Sequence, residues 1–144
     1  MKEKTSTRRL LLDLNILLDV VLDREEAAAG VRLWVLLETG HGRGFIPAHG
    51  VKTIYYLVAR AKSSEFARQA IGALMSVFRV APIDENVLRR ALALNWPDFE
   101  DSVCAAAAEA CDCHAIVTRD PRGFAGSRVR VIDAATAAAL LGGQ

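Results

Sequence analysis

Three segments of the sequence hold carboxylates whose surroundings call for a chemical explanation. Asp13 interrupts an apolar run at 10–22, the segment 98–101 (Asp-Phe-Glu-Asp) precedes an alanine-rich stretch, and Asp120 follows a second apolar run. Removing a lone carboxylate from water costs several kcal/mol unless it is paired or binds a metal. Carboxylate oxygens suit hard cations such as Mg²⁺ and Mn²⁺. The residue types therefore indicate acids that are either paired or together bind such a metal ion.

The predicted secondary structure alternates between strands and helices along the chain. Strands are predicted at 9–14, 45–47, 78–83, 115–118 and 129–132. A helix capped by Asn15 follows the first strand, and further helices are predicted at 25–38, 49–61, 64–77, 84–94, 98–110 and 133–141. This alternation predicts a three-layer α/β/α fold with a mainly parallel central sheet, in a single domain over residues 1–144.

The predicted elements bring the three segments toward one place. In a parallel sheet the carboxyl ends of the strands line the ligand crevice, and Asp13 and Asp120 both stand at such ends. Asp101 falls in the first turn of a helix, where the helix dipole and free amides favour a negative charge. All three carboxylates are therefore expected to converge.

Each acid also has a purely structural interpretation. Asp98 three residues before Asp101 fits an acidic variant of the capping box, which is compatible with a metal role for Asp101. Asp120 followed by proline is a common turn opener. Asp13 has the weakest structural alternative, because Asn15 already explains the start of the helix. Asp19 is expected on a partly exposed face of that helix.

The composition limits the class of protein. With 18 basic and 17 acidic residues the formal net charge is +1, which does not favour non-specific nucleic-acid binding through overall charge. No apolar stretch is long enough to span a membrane, because acids interrupt the best candidate. Three cysteines, an odd number, argue against a secreted disulfide scaffold, so a cytoplasmic location is expected.

The acidic segments and their order resemble those of the PIN-domain family, metal-dependent ribonucleases that include the VapC-type toxins of bacterial toxin–antitoxin pairs. The matching stretches are 12–19 (LDLNILLD), 98–103 (DFEDSV) and 116–124 (IVTRDPRGF), and with the α/β/α layout they cover essentially the whole chain. The resemblance implies that Asp13, Asp101 and Asp120 are the catalytic metal ligands. Asp98 or Glu100 is a candidate for a further ligand.

The same resemblance implies the rest of the machinery. Asn15 would support Asp13 by a hydrogen bond, and Mg²⁺ or Mn²⁺ would be the cofactor. The substrate would be RNA, and an antitoxin protein and a second copy of the chain would be partners. Arg119 and Arg122 are candidates for contact with the substrate backbone, because arginine suits bidentate phosphate contacts.

One position departs from the family pattern. Family members usually carry a further Glu at the start of the third helix, and Thr53 stands at that place. This departure keeps open a second hypothesis, a catalytically weakened domain that binds RNA or a protein partner. A third class, phosphotransfer domains with an Asp after the first strand, generally needs a late lysine, and none follows Lys62.

Overall fold

The computed structural model describes residues 7–142, and within them the chain forms one five-stranded sheet. The strands are β1 (Arg9–Leu12), β2 (Arg43–Pro47), β3 (Arg79–Ala81), β4 (Ala115–Val117) and β5 (Arg130–Ile132). They lie in the order β3-β2-β1-β4-β5, and each neighbouring pair is parallel. The first strand of the sequence is therefore the central strand of the sheet.

Helices connect the strands in the described part of the chain. They are α1 (Leu14–Val21), α2 (Ala28–Glu38), α3 (Ala48–Ala61), α4 (Ser64–Val77), α5 (Glu85–Leu94), α6 (Phe99–Ala110) and α7 (Ala134–Gly142). Two short 3-10 turns, Glu25–Ala27 and Pro121–Phe124, precede α2 and follow β4.

The central strand divides the apolar core in two. Leu10 and Leu12 of β1 pack in the cluster that also holds α1 to α4 and α7, whereas Leu11 belongs to the cluster with α5 and α6. All three side chains are at most 1% exposed. Alternate residues of a strand point to opposite faces, so a continuous apolar run is what a strand covered on both sides requires. The layers are therefore helix, sheet and helix.

The predicted fold class is confirmed, and the differences lie at the ends of elements. The first strand stops at Leu12, because the chain turns into α1 at Leu14 with Asp13 in the N-cap position. The prediction that Asn15 caps this helix is wrong, since Asn15 is the second residue inside it. The predicted caps Asp84 and Asp98 are confirmed, each accepting a backbone N–H three residues on.

No helix in the described residues 7–142 combines the length and the apolar character that crossing a membrane requires.

Candidate active site

Asp13 is held at the carboxyl end of the central strand. Its backbone N–H donates to the carbonyl of Val117 at 2.9 Å, which extends the β1–β4 ladder by one step. Its Oδ2 accepts a hydrogen bond from the Thr118 hydroxyl at 2.9 Å. Burial raises the pKa of the Asp13 carboxyl, although this hydrogen bond and the charge of Arg119 act in the opposite direction. A partly desolvated carboxylate of this kind gains from a nearby cation.

Thr118 links two of the predicted acids and was not predicted as a site residue. It is 1% exposed, and its hydroxyl donates to Asp13 while accepting the backbone N–H of Asp120 at 3.1 Å. A buried hydroxyl that is satisfied on both sides is a fixed spacer between its partners. The sequence signal was a polar residue directly after β4, which alone does not reveal its partners.

Asp101 belongs to α6, which packs on the face of the sheet opposite to α1. It lies in the first turn of α6, and its backbone N–H donates to the Asp98 carboxylate at 3.2 Å. Asp98 is thus committed to capping the helix. Gly123 lies against the Asp101 side chain so closely that a Cβ at Gly123 would stand 2.6 Å from Oδ2. The absence of a side chain at Gly123 is therefore what leaves room for this carboxylate.

The electrostatics of Asp101 show that the acids share one neighbourhood. Burial, followed by the charges of Asp98, Asp13, Asp120 and Glu100, raises the pKa of Asp101 to about 6. Carboxylates raise each other's pKa only when they are close, because like charges repel and each ionised carboxylate disfavours the ionisation of the next. The three predicted segments therefore meet at the carboxyl edge of the sheet.

The chemistry of these donors fits a hard divalent cation. Their oxygen atoms are the ligands that Mg²⁺ and Mn²⁺ prefer, and the mutual repulsion at Asp101 is what a cation would relieve. Within residues 7–142, no three His, Cys, Asp or Glu side chains already stand as a metal-binding group. Binding would thus require the carboxylates to move closer together.

Asp19 differs most from expectation, because it is buried rather than partly exposed. Its side chain is 3% exposed, and Nη1 of Arg24 and Nε of Arg119 each lie 3.2 Å from one of its two oxygens. A buried carboxylate with both oxygens paired satisfies the requirement that buried charges be compensated. Arg119, a candidate for substrate contact, pairs with Asp19 in this arrangement while its side chain stays 41% exposed.

The other predicted supporting residues have different positions. Arg122 is 93% exposed on its side chain and lies 3.4 Å from the Asp120 carboxylate, so it stands at the rim of the acidic edge. The side-chain hydrogen bond to the Asp13 carboxylate within the described residues comes from Thr118, and the backbone of Asn15 contributes a further hydrogen bond. The support of Asp13 by the Asn15 side chain stays a prediction.

Helix α3 brings an imidazole to this edge and no acid. Thr53, at the position where a Glu was expected, donates its hydroxyl to the carbonyl of His49 at 3.3 Å, within its own helix. His49 is the second residue of α3, which follows β2 directly, and its Nε2 lies 4.0 Å from Glu100 Oε2 of α6. His49 was not among the predicted site residues.

Sequence comparison identifies the family of these elements. A model of the PIN domain matches residues 9–122, which includes all three converging acids. No curated protein matches the chain in sequence.

Solved structures share the fold at low sequence identity. VapBC2 from Rickettsia felis, bound to a DNA fragment from its promoter, aligns with a TM-score of 0.69 at 14% identity, covering 87% of this chain and 97% of that one. VapC20 from Mycobacterium tuberculosis, a toxin that cleaves the sarcin–ricin loop, gives a TM-score of 0.66 at 14% identity over 81% and 93%. A toxin–antitoxin complex from Klebsiella pneumoniae gives 0.66 at 22% identity over 87% and 97%.

Proposed function

The chain belongs to the PIN domain family, and from this premise we propose that it is a metal-dependent endoribonuclease, the toxin of a toxin–antitoxin pair. PIN domains of the VapC type are nucleases, which makes hydrolysis of a phosphodiester the reaction to test first. The proposal takes the whole chain, residues 1–144, as one domain acting in the cytoplasm. The continuous five-stranded sheet supports a single domain.

The observation that carries the proposal is the coupling of carboxylates from three separate segments. Asp13, Asp101 and Asp120 lie more than a dozen residues apart in sequence, yet the charges of the other two raise the pKa of Asp101. Unpaired like charges held together lower stability, so such a cluster is expected where a cation binds. Mg²⁺ or Mn²⁺ is the cation that the oxygen donors favour.

Each residue has a role in the proposed hydrolysis. Asp13 and Asp101 would hold the cation, and Asp120 would complete the site or orient water. Thr118 keeps Asp13 in place through its hydroxyl and fixes the backbone of Asp120. When bound, a divalent cation neutralises charge that develops on the phosphate and makes a water molecule more acidic. In the proposed hydrolysis a water oxygen would form a new P–O bond in line with the departing sugar oxygen, the P–O bond to that sugar oxygen would break, and the proton lost by the water would end on the leaving hydroxyl.

The assay that tests this function is cleavage of labelled RNA by the purified protein. We expect cleavage with Mg²⁺ or Mn²⁺ and loss of cleavage with EDTA, because the carboxylates alone offer no positive charge to the phosphate. Both total cellular RNA and short oligonucleotides should be tested, so that cleavage is also detected if the enzyme requires a folded RNA substrate. Cleavage that persists unchanged in EDTA would contradict a metal-dependent mechanism.

Gly123→Ala is expected to impair this activity without unfolding the protein. The new Cβ would stand 2.6 Å from Asp101 Oδ2 and force the carboxylate to move. A displacement on the order of 1 Å at a reacting centre can cost about 100-fold in rate. We expect a 10- to 100-fold slower cleavage of RNA, with the midpoint of thermal unfolding nearly unchanged, because only the end of a flexible side chain must shift.

Gly72→Ala is the matched control for this variant. Gly72 lies in α4 with no atom within 4 Å of an added Cβ. Alanine there should leave cleavage intact and stabilise the helix by roughly 0.5–1 kcal/mol. Equal cleavage by the Gly123 and Gly72 variants would argue against Asp101 as a metal ligand.

A binding module without catalysis is the second candidate function, and Thr53 favours it. Its hydroxyl is bonded within α3, so this helix adds no carboxylate to the acids of the site. Isothermal titration with Mg²⁺ separates the two functions. Tight binding that is lost in Asp13→Asn supports the nuclease, whereas absent binding that Thr53→Glu restores supports the binding module.

The proposed partners are RNA, an antitoxin protein and a second copy of the chain. The antitoxin is supported by the shared fold with proteins whose structures are toxin–antitoxin complexes. A homodimer is supported by exposed apolar side chains on α2, where Val31 is 44% and Val35 is 49% exposed. Apolar patches of this kind are common at contacts between protein chains.

A further inference from the structure

The acidic edge offers an approaching RNA few hydrogen-bond donors. Five carboxylates contribute to its field, those of Asp13, Asp98, Glu100, Asp101 and Asp120. Phosphate groups carry negative charge, so productive binding needs donors or cations on the protein side. Of the two nearby arginines, Arg119 pairs with Asp19, and only Arg122 stands exposed at the rim beside Asp120, so carboxylates outnumber free cations there.

His49 lies at the border of this edge and connects its two sides. Helix α3 begins at Ala48, directly after β2, and β2 pairs with the central strand, which ends just before Asp13. The Nε2 atom of His49 lies 4.0 Å from the Oε2 of Glu100, which precedes Asp101 on α6. The helices α3 and α6 belong to opposite faces of the sheet. The imidazole thus lies beside Glu100, at the border of the acidic edge.

The burial of the ring determines which nitrogen is available. Nδ1 is fully buried and has no hydrogen-bond partner, whereas the side chain as a whole is 27% exposed. A buried polar atom without a partner costs stability. A histidine kept at this position despite that cost is expected to have a function for its other nitrogen, Nε2. The carboxylate facing Nε2 favours the tautomer with its hydrogen there. At 4.0 Å the N–H is not committed to Glu100.

We propose that His49 is a substrate-binding residue whose Nε2–H donates a hydrogen bond to a phosphate oxygen of RNA beside the acidic cluster. This inference rests on the proposed ribonuclease function. It also gives α3 a part in the site, although Thr53 supplies no carboxylate. The imidazole contacts the phosphate backbone rather than a base, so the contact is independent of RNA sequence.

Binding of a labelled single-stranded RNA, followed by fluorescence anisotropy with Mg²⁺ present, tests the proposal. Asp13→Asn serves as the parent for binding, so that the RNA stays intact. Adding His49→Ala should weaken RNA affinity about tenfold, the scale of one hydrogen bond to a charged group. Adding His49→Gln should recover affinity to within about threefold, because the glutamine amide nitrogen lies near the position of Nε2.

His41→Ala is the matched control, because His41 precedes β2 and stands at the opposite edge of the sheet, with Nδ1 3.0 Å from the Thr39 hydroxyl. It should bind RNA like the parent.

Unchanged RNA affinity after His49→Ala would overturn the proposal, and so would a His49→Gln variant that binds RNA no better than His49→Ala. A loss of Mn²⁺ binding when His49→Ala is made in the wild-type protein would also overturn it. If the wild-type protein cuts RNA while His49→Ala binds normally, the ribonuclease function stands and only the role of His49 falls. If the wild-type protein neither cuts nor binds RNA, both fall.

Discussion

Asp13→Asn is expected to reduce metal-dependent RNA cleavage by about 10²- to 10³-fold or more, the scale of removing one preorganised electrostatic group from an active site. Asparagine keeps the size of the side chain and can still accept the Thr118 hydroxyl hydrogen bond. What it removes is the negative charge at the end of the central strand. Because one of the three proposed ligands then lacks its charge, affinity for Mg²⁺ should fall together with the rate. Calorimetry and the RNA cleavage assay measure the two effects separately.

The stability of the same variant provides an internal check. Burial raises the pKa of Asp13, so at neutral pH the ionised carboxylate is less favourable in the folded chain than in the unfolded one. Removing that charge should leave the metal-free midpoint of thermal unfolding unchanged or higher. A variant that loses activity and also unfolds early would point to damage of the fold instead of loss of a ligand.

Asp84→Asn is the matched control for Asp13→Asn. Asp84 also follows a strand and caps a helix, accepting the Val87 N–H at 2.9 Å, and asparagine caps helices about as well. Asp84 lies beyond β3, at the outer edge of the sheet and two strands from β1. Its variant should cut RNA like the wild-type protein. Cleavage by Asp13→Asn at the rate of this control would exclude Asp13 from the active site.

Removing both arginines that face Asp19 is expected to cause the largest loss of stability. Asp19 is 2% exposed, and Arg24 and Arg119 supply the charges beside its two oxygens. The double variant Arg24→Ala with Arg119→Ala leaves an uncompensated buried carboxylate. Because both arginine side chains are 41% exposed, water reaches the carboxylate once they are truncated, and we expect a loss of about 1–3 kcal/mol of unfolding free energy. Urea unfolding followed by circular dichroism measures it.

Two further variants separate the charge from side-chain packing. Adding Asp19→Asn to the double variant removes the stranded charge and should recover most of the lost stability. Arg89→Ala breaks an exposed pair with Glu85, with side chains 74% and 73% exposed, and should change stability by less than about 1 kcal/mol. A double variant that loses no more than Arg89→Ala would show that the Asp19 pairs contribute little.

The family resemblance and the order of elements could be predicted because both depend on short stretches of chain. The apolar run of β1, the cap at Asp98 and the proline after Asp120 each act over a few neighbours. Several predicted ends of the strands were wrong by one or two residues. For β1 this happened because the chain leaves the sheet after Leu12 and enters α1 at Leu14. The Asn15 cap failed for this reason: Asp13 already occupies the cap position when β1 ends at Leu12.

Partners within the site could not be predicted, because they come from distant parts of the chain. The Thr118 hydroxyl reaches Asp13 across 105 residues of sequence, and the Arg119 guanidinium reaches Asp19 across a similar distance. The sequence around Asp19 does not show whether its face of α1 will be exposed to solvent or covered by other side chains. For His49 the sequence alone could not decide between a structural role and a place in a pocket, because only the meeting of α3 and α6 brings its ring toward Glu100.

By itself the sequence determined a parallel α/β/α fold and the three acids at the ends of its elements, since hydrophobic periodicity and capping residues are local properties. Only the tertiary structure decided how those acids are held and what surrounds them. It paired Arg119 with Asp19, joined Asp13 to Asp120 through Thr118, and set an imidazole beside Glu100. The physical reason is that charges and hydrogen-bond donors are satisfied by whichever group packing brings within about 3 Å, and packing is settled by the whole chain.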